Sequence, residues 1–250
     1  MAVTDISHLL ASYPRERAPL PEEYQRVYAE QYKINREGTT AVDGAAQKLE
    51  QWMHRKVASV SGDPVLELGA GTLNHLRFEP NAATYDIVEP FVSLFEGKPE
   101  LSRVRASYAS VHDVPPANRY ARVISIAVLE HLTDLPRDLA RSALLLDEGG
   151  VFQAGIPSEG GLLWWLGWRF STGLAYFLRT GLDYGKVMRH EHVNSAQEIL
   201  KVVSHLFADV RTARFPLPSG HLSFYTYLEA REPRLDLARR ILAESAGEGA

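Results

Sequence analysis

Apolar residues along this chain fall into two regimes that change at Pro64. After it, short apolar runs alternate with helical stretches. Val65–Leu68, Tyr85–Val88, Arg103–Ser107, Arg122–Ala127 and Gly150–Gly155 read as strands. Asp134–Leu146 is the clearest helix between them, and Gly149-Gly150 stops it. The tail adds Ser195–Phe207 as a helix, Val210–Phe215 and Leu222–Ala230 as strands, and Leu235–Ala243 as a last helix. Strand alternating with helix implies a parallel sheet covered on both faces, hence an α/β protein.

Before Pro64 the period is helical. Thr4–Tyr13 opens on the capping residues Thr4 and Asp5 and ends at Pro14. A second helix is predicted after Pro21, with Glu22 and Glu23 in its first turn and Tyr24, Tyr28 and Tyr32 on one face. Thr40 to Ala58 reads as a third, with Val42, Leu49, Trp52, Met53 and Val57 as its apolar stripe. These helices suit either a cap over a site or plain packing on the sheet. Residues 1–60 are therefore set apart from a main domain over 61–250.

Gly160–Leu182 breaks the pattern with Leu162, Leu163, Trp164, Trp165, Trp168, Phe170, Leu174, Tyr176 and Phe177. Arg169 and Arg179 interrupt it, so it does not read as a membrane span. Three readings remain: an aromatic lid over a pocket, core packing, or contact with a membrane surface or partner.

Composition narrows the chemistry. The 250 residues are 45% hydrophobic and 23% charged, as in ordinary globular proteins, and include no cysteine. That excludes disulfides, cysteine zinc sites, iron–sulfur clusters and thiolate nucleophiles. Net charge is -4, which offers no footprint for nucleic acid. Residues 61–160 carry 14 acidic against 8 basic side chains, a region suited to a cationic or neutral ligand. Met1–Ala18 has no long apolar core of a signal peptide, so a cytoplasmic location is expected.

The densest motif is Glu67-Leu68-Gly69-Ala70-Gly71-Thr72 at the end of the first strand. No Gly-Lys-Ser/Thr follows, and Asn74 holds the third glycine's place, so neither a P-loop nor a full dinucleotide fingerprint is present. A carboxylate just before the glycines disfavours a pyrophosphate and favours an ammonium group. Glu89, at the end of the second strand, stands where a carboxylate accepts both hydroxyls of a ribose. With Leu129-Glu130-His131-Leu132 after the fourth strand, the chain from about Val65 to Pro157 resembles the class I S-adenosylmethionine-dependent methyltransferases.

The resemblance implies a Rossmann-like, seven-stranded, mostly parallel sheet with helices on both faces. It also implies S-adenosylmethionine as cofactor. Glu67, Gly69, Ala70 and Gly71 then border its methionine end, and Glu89 binds the ribose, with Pro90 and Phe91 beside the adenine. Ser110 stands where the family carries an adenine-binding aspartate, Val111 offers its backbone, and His112 or Asp113 are substitutes for the missing carboxylate. Ile126 contributes backbone only. The helix after Gly71 is expected to be short, because only Thr72–Ala82 precede the next strand.

Methyl transfer from a sulfonium is an in-line displacement in which positioning supplies much of the catalysis. His131, after the fourth strand, is a candidate base or substrate contact, or a plain turn residue. Arg189-His190-Glu191-His192-Val193-Asn194 offers His192 as a second candidate and His190 as a substrate contact, against a bland reading in which Asn194 or Ser195 caps the next helix. Trp164, Trp165 and Tyr184 are expected on the acceptor, in a lid insertion over about 158–193. No metal is assigned; metal binding at Arg189–Asn194 would require further ligands of the right geometry. The expected function is methylation of O or N on a small molecule such as a saccharide or natural-product intermediate. The rivals are a nucleic-acid or protein methyltransferase and a non-catalytic scaffold.

Overall fold

The computed structural model describes residues 5–25, 41–170 and 172–247. Tyr28, Tyr32 and the side chain of Val42 lie outside the described residues, and of the expected tyrosine face only the buried Tyr24 lies within them. The strands are β1 (Val65–Leu68), β2 (Tyr85–Val88), β3 (Ala106–Tyr108), β4 (Tyr120–Ile126), β5 (Leu146–Pro157), β6 (Phe207–Pro216) and β7 (Ser223–Pro233). They form one seven-stranded sheet in the order β3-β2-β1-β4-β5-β7-β6. The first five run parallel, and β7 is antiparallel between β5 and β6. The strand order reverses between β1 and β4, so a crevice opens at their carboxyl ends, where open α/β sheets bind ligands.

The helices are α1 (Ser7–Leu10), α2 (Ala41–Val57), α3 (Leu135–Leu145), α4 (Leu162–Phe170), α5 (Thr172–Thr180), α6 (Tyr184–Glu191), α7 (Ala196–Leu206) and α8 (Leu235–Gly247). Alternate strand residues face opposite layers. Leu66, Leu68, Val123, Phe152 and Leu228 join the buried faces of α3, α7 and α8. Val65, Tyr85, Ile87, Ile124 and Ile126 join Met53 and Val57 of α2. Burying a side chain of this size stabilises by about 1.5–3 kcal/mol. Gly155 lets α2 approach β5: a Cβ there would stand 2.6 Å from Met53 Cβ. This helix packs on the sheet through Met53 and Val57.

A buried polar chain crosses the α2 face. Arg122, 1% exposed, donates to both oxygens of Glu79 at 2.8 and 2.9 Å, to Gln153 Oε1 and to the carbonyl of Val57. Glu79 also meets His75 Nε2 at 3.2 Å, and the Nδ1 atoms of His75 and His54 stand 3.0 Å apart. A consistent tautomer set has His75 donating to Glu79 and accepting from His54. Burial, with His75 and Arg77 nearby, holds His54 down to about 3, so it is neutral near pH 7. The chain ties the end of α2 to β4 and β5.

Some boundaries differ from the sequence reading. The first helix is only Ser7–Leu10, followed by turns, with Asp5 Oδ1 accepting from the Ser7 amide. The third strand is Ala106–Tyr108 because Pro99–Arg103 winds into a 3-10 helix over its expected start. After Gly71 there is no α-helix, only turns and the 3-10 helix Leu76–Phe78. The aromatic stretch folds into α4 and α5, after β5. No helix among the described residues is long and apolar enough to cross a membrane.

Candidate active site

The turn after β1 is shaped by left-handed backbone. Gly69 has φ +68°, and a Cβ added there would stand 2.3 Å from Val128 Cγ2. Gly71 has φ +51° with open space where a side chain would project. Leu73 and Ala127 also adopt positive φ, at 63° and 53°. For side-chain-bearing residues this is a costly conformation, of the kind that clusters at binding sites. The contact of Gly69 with Val128 joins the β1 turn to the loop after β4.

Glu89, 6% exposed, closes the turn from the next strand. Its Oε2 accepts from the Gly71 amide at 2.8 Å and its Oε1 from the Phe91 amide at 3.0 Å. A carboxylate has about four lone-pair sites, so two amides leave capacity for ribose hydroxyls. Pro90 beside it is exposed, and Phe91 is 51% exposed. Glu67 lies inside the core beneath the turn, 3% exposed, accepting from the Tyr85 hydroxyl at 2.8 Å. Burial raises its pKa, with His75 and Tyr85 opposing. Ala70 is buried beside it.

Across the crevice, Ser110 caps the 3-10 helix Val111–Asp113, accepting from the His112 amide while Asp113 accepts from the Ser110 amide. His112 Nε2 stands 3.0 Å from Asp138. Both stand-ins for the missing aspartate therefore already have partners. Val111 and Ile126 are buried.

The loop after β4 carries Leu129–His131 as a 3-10 turn. Residues 192–194 are laced onto it. The Val193 and Asn194 amides donate to Glu130 O, and Asn194 Nδ2 donates to Leu129 O and Leu132 O at 2.8 and 2.7 Å. Ser195, not Asn194, caps α7, through a reciprocal pair with Glu198. This lacing brings together the two candidate histidines: the His131 and His192 rings meet edge-on, 4.7 Å between centroids. His131 Nδ1 lies 2.9 Å from Glu191 O, and His192 Nδ1 is paired with Glu159. Burial opposes protonation of His192, but Glu159 and the neighbouring carboxylates outweigh it and raise its pKa.

The amino-terminal segment straps over this junction. Tyr13 donates to Asn194 Oδ1 at 2.7 Å, Arg15 pairs with Glu198, and Arg17 donates to the carbonyls of His131, His190 and Glu191.

Beside it lies a cavity of about 680 Å³ lined by residues of α4, α6 and the loops around them, among them Glu159, Trp164, Trp165, Trp168, Met188 and His192. Two of the expected substrate residues, Trp164 and Trp165, line it. Tyr184 instead packs against Trp168 and Tyr176, and His190 Nδ1 faces Ala18 O. The sequence reading did not single out Glu159, which lines the cavity, or Glu130, which lies beside the two histidines. Glu130 is 2% exposed, and burial pushes it up to about 7 against the pull of His192. Burial also raises Glu50, on the buried side of α2. The acid in Leu129-Glu130-His131-Leu132 was visible in the motif; its burial was not.

No protein-family model matches the chain, and no curated protein matches it by sequence. Solved structures do match in fold. The N-methyltransferase NodS from Bradyrhizobium japonicum WM9, solved with S-adenosyl-L-homocysteine, is 12% identical with a TM-score of 0.53 over 86% of this chain and 100% of that one. The CurJ carbon methyltransferase is 19% identical with a TM-score of 0.54 over 85% of this chain and 61% of that one. The [4+2]-cyclase SpnF is 14% identical with a TM-score of 0.53 over 88% and 99%. The chain has the class I methyltransferase fold, as the resemblance implied.

Proposed function

We propose that this protein transfers the sulfonium methyl group of S-adenosylmethionine to an oxygen or nitrogen of a small molecule. One observation carries the reading: Glu89 is tied to the Gly71 amide at the strand-order reversal, leaving acceptor capacity for a ribose beside the exposed Phe91 ring. In this reading Gly69–Gly71 lies along the methionine end, with Ala70 and the buried Glu67 supporting the turn from within. Pro90 and Phe91 flank the adenine, with Ser110, Val111 and the Ile126 backbone on its far side. NodS and CurJ, methyltransferases of the same fold, support this.

The acceptor enters the aromatic cavity, over which residues 158–193 form the lid and the strap at residues 13–17 forms the cap. Trp164 and Trp165 supply apolar surface suited to a ring-shaped acceptor such as a saccharide or natural-product intermediate. His192 orients it from the wall and His131 supports His192; Tyr184 and His190 hold the lid in place. Displacement at the methyl carbon then needs alignment more than acid–base help.

SpnF supports a second reading, because the same fold serves a cyclase there. Incubation with methyl-labelled S-adenosylmethionine and a panel of hydroxylated and amino acceptors separates the two. Labelled product with equimolar S-adenosylhomocysteine is expected. Donor binding with acceptor conversion but no label transfer would sink the methyltransferase reading.

A further inference from the structure

We infer that Glu130, His131 and His192 form a binding site for one divalent transition-metal ion at the wall of the acceptor cavity. One ligand atom from each of the three residues lies within 4.8 Å of the others. Around an ion with bonds of about 2.1 Å, neighbouring ligand atoms stand roughly 3–3.4 Å apart, so the trio closes by up to roughly 1.5–2 Å on binding. Small side-chain rotations cover that distance.

Two further observations point to an ion. Glu130 is 2% exposed, and its Oε2 has no hydrogen-bond partner among the described residues. A buried carboxylate oxygen without a partner is costly, and a cation removes that cost. Each histidine is also held at Nδ1 by an oxygen: His131 by the carbonyl of Glu191 at 2.9 Å with the Glu191 carboxylate at 3.3 Å, and His192 by Glu159. Metal-binding histidines are oriented in this way, one ring nitrogen toward a carboxylate or carbonyl and the other toward the ion.

The arrangement is preformed by backbone. The lacing of Val193 and Asn194 onto Glu130 O holds residues more than 60 positions apart in one cluster. Two imidazoles and one carboxylate, with no sulfur, suit zinc, cobalt, manganese or iron(II) rather than the all-oxygen sites of calcium and magnesium. Three protein ligands leave coordination positions open toward the cavity. Those positions suit a hydroxyl or carbonyl oxygen of the acceptor, so the ion selects oxygen-bearing substrates. That last role rests on the proposed methyltransferase reading; the ion site itself does not.

The test is titration of the chelator-stripped full-length protein with Co²⁺, followed by its visible d–d absorption, and with Zn²⁺ by calorimetry. One equivalent is expected, with a histidine-bearing cobalt spectrum. His192→Phe and Glu130→Gln each weaken binding at least 100-fold, and Glu159→Gln weakens it 10- to 100-fold. Arg239→Ala, at the exposed ion pair with Asp236 on α8, leaves it unchanged. Thermal melts and S-adenosylmethionine binding report whether each variant is folded. Cobalt binding that survives both His192→Phe and Glu130→Gln in folded protein overturns the site, as does no stoichiometric binding by the wild type. Donor binding without metal binding would remove the ion and leave the methyltransferase reading; metal binding without donor binding would do the reverse.

Discussion

Glu89 Oε2 accepts the Gly71 amide hydrogen at 2.8 Å, so the carboxylate that ends β2 closes the turn that ends β1. The turn is thus held in shape by the same group assigned to the ribose. Its two glycines are needed for different reasons, which substitution separates.

Gly69→Ala combines strained φ with a Cβ at 2.3 Å from Val128, whereas Gly71→Ala meets only the strain. Loss of about 1 kcal/mol is expected for Gly71→Ala and of roughly 2–4 kcal/mol for Gly69→Ala. Urea unfolding of the two variants measures this. Equal losses would contradict the close approach.

Arg122→Met removes the cation that faces Glu79 inside the core. Breaking one side of a buried pair costs about 3–5 kcal/mol, because the remaining charge is uncompensated. The double variant Arg122→Met/Glu79→Gln is expected to recover part of that loss. Equilibrium unfolding of both checks it, and a double variant less stable than Arg122→Met would refute the pairing.

His54 binds a proton near pH 6.5 when unfolded and near 3 when folded. Its contribution is complete above about pH 6.5 and is lost as pH falls from there toward 3. The slope is at most about 1.4 kcal/mol per pH unit. The stability difference between the wild type and His54→Gln should therefore shrink between pH 7 and pH 5. A constant difference across that range would show that His54 does not titrate between the two states.

Much of this was written locally in the chain. Val65–Leu68 and Tyr85–Val88 are buried on both faces, so their apolar runs marked the strands to the residue. Gly69, Gly71 and Glu89 were visible because a tight turn and a carboxylate at a strand end are local features. Edge strand β3 is half-exposed and carries a weaker pattern, so its register was set by the 3-10 turn before it. Long-range polar pairing was hidden. Arg122 and Glu79, or Asn194 and Leu129, meet only through the topology, and no local period marks them. The same holds for Glu130 beside His192.

The most direct test is calorimetric titration of S-adenosylmethionine into the wild type and Glu89→Ala. One site is expected in the wild type. Loss of charge-assisted hydrogen bonds to a ribose, about 1.5–3 kcal/mol each, should weaken binding roughly 10- to 100-fold or more in folded Glu89→Ala. Absence of binding by the wild type, or equal affinity in the variant, would contradict the account.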